Sequence, residues 1–126
     1  MSDITTTAPV FRVTSGFWKE LPPMPADEFP GAKGCIGDVY PNPDGSDMAA
    51  GYFRLDHTEA PLDYTYEYDE MKVVLTGEFH LENLDTGQVE IAREHDAIFF
   101  PKGSRIRFTT PEGALAHYVG LRSFAP

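Results

Sequence analysis

The chain has 126 residues, enough for one hydrophobic core and too few for two. Hydrophobic residues at 41% and aromatics at 13% exclude a disordered chain, despite a net charge of −10. The acidic balance argues against nucleic acid or an anionic membrane as partner, since both need a basic face.

Residues 1 to about 9 are polar and threonine-rich and read as a loose arm. The segment Met1 to Thr7 lacks the basic start and apolar run of a signal peptide. No stretch reaches the roughly 18 consecutive apolar residues of a membrane span. The expected location is the cytoplasm. Val10 to Val13 is a candidate short strand, and prolines 22, 23 and 25 stop anything regular after Leu21. Cys35 to Tyr40 reads as a strand; Cys35 is the single cysteine, so no internal disulfide is possible. Residues 41–47 carry strong turn signals, and Met48 to His57 is the next strand. Tyr52, Arg54 and Asp56 share one of its faces, with Phe53, Leu55 and His57 on the other.

A bend at Ala60-Pro61 leads into Asp63 to Gly77, where Tyr64, Tyr66, Glu70 and Lys72 fall at even offsets and point to one face of an extended chain. Glu78 to Glu82 and Gln88 to Ala92 alternate polar and apolar around the hairpin signal Asp85-Thr86-Gly87. Ala97 to Phe100 is an apolar run stopped by Pro101-Lys102-Gly103. Arg105 to Phe108 alternates again, and Ala114 to Leu121 is the last strand. Short strands joined by turns, with no helix of three turns, predict an all-β sandwich or barrel. The expected core is Phe79, Leu81, Val89, Ile91, Ile98, Phe100 and Phe108. The organisation predicted is a single domain over residues 1–126 with an N-terminal arm over about residues 1–30.

Two stretches together resemble the paired motifs of the cupin superfamily, small jelly-roll (double-stranded β-helix) barrels that often hold a metal. Tyr64 and Tyr66 stand at the two histidine positions of the first motif, Glu70 at its glutamate and Gly77 at its glycine. In the second, His95 replaces the leading glycine, Pro101-Lys102-Gly103 matches, and Ile106 stands where a histidine is usual. The barrel signature is kept while three of four usual ligands are not. More narrowly, Tyr68-Asp69-Glu70, Val74 to Glu78 and Pro101-Lys102-Gly103-Ser104 resemble the ethanolamine-utilisation protein Q family, over roughly residues 50 to 121. Members of that type also lack the metal-binding histidines. The resemblance implies microcompartment metabolism. An acetate kinase activity attributed to the family has no counterpart here in a phosphate-cradling glycine loop.

Read as chemistry, Tyr64, Tyr66 and Glu70 place one carboxylate and two phenols in a barrel. A divalent transition metal needs two or three imidazoles, thiolates or carboxylates, and neutral phenols are poor substitutes. His57 and His117 would complete a site with Glu70 and Tyr64 only if their strands face inward. A metal-free barrel is the first expectation, with Glu70, Tyr64 and Tyr66 as acid–base groups. Arg54, Tyr52, Lys72 and Ile106 are then the candidate contacts to a small polar metabolite. A carboxylate walled by rings holds its proton to higher pH. Glu70 is therefore expected to be partly protonated near neutrality, unless Lys72 or Arg54 reaches it. Two alternatives remain open: a non-catalytic ligand-binding or assembly cupin, and a metal-dependent dioxygenase or lyase with atypical Tyr, Glu and His ligands. The resemblance implies a homodimer, since cupins often dimerise by pairing sheets or exchanging terminal strands, and the apolar Val10, Phe11, Val13, Phe17 and Trp18 point to the N-terminal region for it.

Overall fold

The computed structural model describes residues 9–40 and 47–123. The loose arm expected over residues 1–9 and the loop at 41–47 therefore fall almost wholly outside the described residues. Nine strands carry the described fold. They are β1 (Lys33–Asp38), β2 (Ala49–Asp56), β3 (Leu62–Thr65), β4 (Glu70–Gly77) and β5 (Phe79–Asn83). Then follow β6 (Val89–Ala92), β7 (Ala97–Phe100), β8 (Arg105–Thr109) and β9 (Ala114–Gly120).

Two antiparallel sheets face each other, in the orders β1-β2-β9-β4-β7 and β3-β8-β5-β6. Alternation aims Phe53, Leu55, Val74, Phe79, Phe100, Phe108 and Tyr118 into the space between them, where all are buried. Of the expected core, Phe79, Leu81, Phe100 and Phe108 are buried, and Ile98 packs against them half-buried. Val89 and Ile91 are corrected: they are 66% and 40% exposed. Strand β6 lies at a sheet edge, paired to β5 as Leu81↔Glu90 and Phe79↔Ala92. Since Leu81 and Phe79 face in, so do Glu90 and Ala92, and the larger side chains face out.

Asp63 to Gly77 is not one bent strand. Strand β3 belongs to the second sheet and β4 to the first, and residues 66–69 carry the chain between them. The two motifs meet at that crossing. The Gly103 amide donates to the Tyr66 carbonyl (2.7 Å), the Tyr66 amide to the Ser104 carbonyl (2.8 Å), and the Lys102 amide to Asp69 Oδ1 (2.7 Å). The motif glycine, Gly77, has φ 74°, and a Cβ there would lie 2.1 Å from the Gly113 carbonyl oxygen. His95, in place of the second motif's glycine, keeps the left-handed conformation that position needs, with φ 72°.

The N-terminal region differs from the expected arm. Val10 to Val13 forms no strand, and Phe17–Lys19 is a 3-10 turn. Further on, the Met24 amide donates to the Gly34 carbonyl (2.9 Å) and the Ile36 amide to the Pro22 carbonyl (3.0 Å), so residues 22–24 run along β1. Among the described residues no helix is long and apolar enough to cross a membrane.

Candidate functional site

Strand β4 is buried on its inner face, and it puts two charges there. Glu70 and Lys72 are two residues apart, so both point inward. Lys72 Nζ lies 2.5 Å from Glu70 Oε2, and each side chain is only 4% exposed. Five rings surround the ammonium: Tyr118 and Phe53 at 4.9 and 5.1 Å, and Tyr66, Phe100 and Phe108 at 5.9 to 6.0 Å. Burial lowers the Lys72 pKa, against the opposing pull of the Glu70 charge. Ring faces attract the same cation. Gly120 makes room for the carboxylate, since a Cβ there would come 3.1 Å from Glu70 Oε1.

The tyrosines form the wall beyond this pair. Tyr66 is buried, stacks on Phe100 at 4.6 Å and meets Tyr64 edge-on at 4.8 Å. Desolvation, then the Glu70 charge, pushes its pKa well up. Tyr64 and Tyr68 share a hydroxyl–hydroxyl bond of 2.6 Å, and Phe29 stacks on Tyr64 at 6.4 Å. A cavity of about 600 Å³ opens between Met24, Phe29, Tyr64, Tyr68, Lys72 and Arg122. Segment 24–29, from the region expected to be an arm, therefore forms part of its wall.

Arg122 was missed by sequence reasoning. It donates to both carboxylate oxygens of buried Asp38 (2.7 and 2.8 Å), and the Tyr118 hydroxyl donates to the same group (2.6 Å). The signal was available: Tyr118, Gly120 and Arg122 continue the inward alternation of β9 past its end.

Of the expected residues, Glu70, Tyr64, Tyr66 and Lys72 come together. Tyr52 and Arg54 are corrected, because the faces of β2 are reversed relative to that expectation. Phe53 and Leu55 fill the core, Tyr52 packs on His117 (5.3 Å) outside, and Arg54 pairs with Asp56 (3.2 Å). His57 is exposed, with Nδ1 2.7 Å from the Thr110 carbonyl, and His117 lies on the outer face beside Tyr52. Neither histidine joins Glu70 and Tyr64. Ile106 is buried opposite Tyr64 and lines a recess between β6 and β7 rather than this cavity. The donors at the motif positions do not fit a divalent metal: two phenols, an isoleucine and a carboxylate already held by an ammonium. Among the described residues, no three His, Cys, Asp or Glu side chains converge as a metal site.

With this geometry in view, the similarity to known proteins can be placed. Residues 25–122 match the family model described as Ethanolamine utilisation protein EutQ. The chain belongs to that family. A curated relative, "Acetate kinase EutQ" of Salmonella typhimurium, is 42% identical over 87 residues, 68% of this chain but only 36% of the relative. The chain thus spans about a third of the length of such curated relatives. A crystal structure of an ethanolamine utilization protein Q from Salmonella typhimurium superposes with a TM-score of 0.67 at 36% identity, covering 77% of this chain and 76% of that one. The cupin domain of Cnp3 from Schizosaccharomyces pombe, at 10% identity and a TM-score of 0.60, covers 71% of this chain and 65% of that one. That likeness speaks for the fold alone, and the fold is a cupin barrel.

Proposed function

We propose that the barrel binds a small hydroxyl- or carbonyl-bearing metabolite in its cavity, and that Glu70 and Lys72 exchange a proton with it. The carrying observation is the buried ion pair on the cavity wall. Such a pair stabilises a fold no better than apolar side chains of similar volume. Its presence where the cupin motif keeps its glutamate supports a use in chemistry. Glu70 is placed to accept a proton from the ligand. The Lys72 ammonium beside it stabilises negative charge growing on a ligand oxygen, a part that a bound metal would otherwise fill.

Charge balance narrows the ligand. Lys72 is paired with Glu70, Arg122 with Asp38, and Asp63 at the rim with Arg107 (2.8 Å). A ligand that is uncharged at the end reaching the pair leaves these partners undisturbed, whereas an anion must displace Glu70 from Lys72. The curated relatives' name makes acetate and acetyl phosphate necessary members of any ligand screen. Phosphoryl transfer is not part of this reading, since among the described residues no glycine-rich loop opens a helix to cradle phosphate.

The test is a thermal-shift screen of polyols, hydroxy-aldehydes and ketones, amino alcohols, acetate and acetyl phosphate. Any carbonyl hit is then incubated in deuterated water and followed by NMR. The reading predicts exchange of the proton next to the carbonyl with wild-type protein, and none with the volume-conserving double variant Glu70→Gln/Lys72→Met. Binding without exchange would contradict the proton transfer and favour a binding module. A screen in which only charged carboxylates bind would contradict the choice of ligand.

A further inference from the structure

An ammonium placed for structure alone has three N–H donors to satisfy. Among the described residues, Lys72 Nζ bonds to a single acceptor, Glu70 Oε2, and ring faces lie around the rest of it. The side chain is buried, yet it lines the cavity of about 600 Å³ together with Glu70, Tyr64 and Tyr66. The other lysines, Lys19, Lys33 and Lys102, are exposed and line no part of it.

Burial favours the uncharged form of an amine, and at Nζ it outweighs the opposing pull of the Glu70 carboxylate. The pair offers a route to that form that strands no charge. Moving one proton across the 2.5 Å contact gives a neutral amine and a neutral carboxylic acid. Charges are costly in a site walled by rings, and this transfer removes both at once. A neutral lysine amine in an apolar cavity is a nucleophile toward a carbonyl carbon.

We propose that Lys72 forms a Schiff base with an aldehyde or ketone bound in the cavity, Glu70 carrying the protons. This rests on the ligand-binding reading above and gives Lys72 a covalent part in it. Lys72 first yields a proton to Glu70. The nitrogen lone pair then forms a C–N bond while the carbonyl π pair moves to oxygen, and a proton passes from nitrogen to that oxygen. The Glu70 acid protonates the resulting hydroxyl, the C–O bond breaks, and water leaves as the nitrogen lone pair closes the imine. The nitrogen keeps one proton and its positive charge, and Glu70 is again a carboxylate. The adduct therefore repeats the charge pattern of the free lysine, a cation at Nζ paired with Glu70 and faced by the same rings. An iminium also acidifies the neighbouring C–H more than a neutral carbonyl does, and Glu70 is then the base beside it.

Reductive trapping tests this on the full wild-type chain. The protein is incubated at neutral pH with propanal and sodium cyanoborohydride, which reduces an iminium to a stable secondary amine. Propylated lysines are then located by peptide mass spectrometry. Lys72 is expected to be labelled at least about tenfold faster than the exposed Lys19, Lys33 and Lys102. Unfolding in guanidinium chloride beforehand should abolish that preference. Labelling of Lys72 no faster than the exposed lysines overturns the proposal, as does a preference that persists in the unfolded chain. NMR of propanal with the protein in deuterated water separates this from the underlying reading. Exchange of the proton next to the carbonyl without labelling at Lys72 overturns the Schiff base and supports proton transfer by the ion pair alone. Labelling without exchange supports the Schiff base and contradicts the proton transfer, and the absence of both overturns both.

Discussion

The Lys72 ammonium lies 2.5 Å from the Glu70 carboxylate inside the barrel, both side chains 4% exposed. Sequence reasoning made Glu70 a carboxyl among rings, holding its proton near neutrality unless a cation reached it. The cation that reaches it is on the same strand, two residues on. Glu70 is therefore one half of a buried ion pair, and its removal leaves the other half without its partner.

Glu70→Gln keeps the shape and removes the charge, leaving a buried ammonium with rings but no counter-ion. Breaking one side of a buried pair costs about 3–5 kcal/mol. The variant should be destabilised by that amount in urea unfolding at pH 7. A loss below about 1 kcal/mol would show Lys72 to be neutral or solvated.

Two buried tyrosines and the half-buried Tyr68 make the fold sensitive to alkali. Desolvation raises the pKa of Tyr66, Tyr68 and Tyr118, aided by the Glu70 charge, a bond to Tyr64 and a bond to Asp38 respectively. All three folded values lie above the ordinary 10.0. Their contribution is fully present below pH 10 and is lost as pH rises beyond it, because the unfolded chain releases these protons first. Absorbance titration should show them ionising in one cooperative step together with unfolding. Gradual ionisation of Tyr66 and Tyr118 in a folded protein would contradict their burial.

His95 gives a local test of the second motif. A left-handed backbone at an L-residue costs roughly 1–2 kcal/mol, and glycine relieves it while adding chain entropy to the unfolded state. His95→Gly should therefore be neutral or stabilising by up to about 1 kcal/mol, read by thermal unfolding. A loss greater than 1 kcal/mol would mean that the imidazole is itself needed.

How far the sequence foretold this structure differs from residue to residue. Phe79, Leu81 and Phe108 were placed correctly because each lies on a strand with a neighbour on either flank, and Phe100 because the Pro101-Lys102-Gly103 turn fixes the end of the edge strand β7. Val89 and Ile91 were not, because an edge strand can put small or polar residues inward where the barrel opens. Glu70, Tyr64 and Tyr66 were legible as neighbours through motif spacing, and they come together although the chain changes sheets between Thr65 and Glu70. Tyr52 and Arg54 were chosen for their chemistry, yet the large apolar Phe53 and Leu55 decide which face of β2 is inside. Phe29 lies outside any motif and only tertiary packing brings it to the cavity, whereas Arg122 was legible by extending the alternation of β9.

The most direct test is a double-mutant cycle between Glu70 and Lys72, measured as unfolding free energy at pH 7. Glu70→Gln, Lys72→Met and the pair together isolate the interaction from the volume each side chain fills. The predicted result is a coupling of about 3 kcal/mol, with the double variant regaining most of the stability that Glu70→Gln loses. A coupling under about 0.5 kcal/mol, the size seen for exposed pairs, would contradict the buried ion pair and the chemistry built on it.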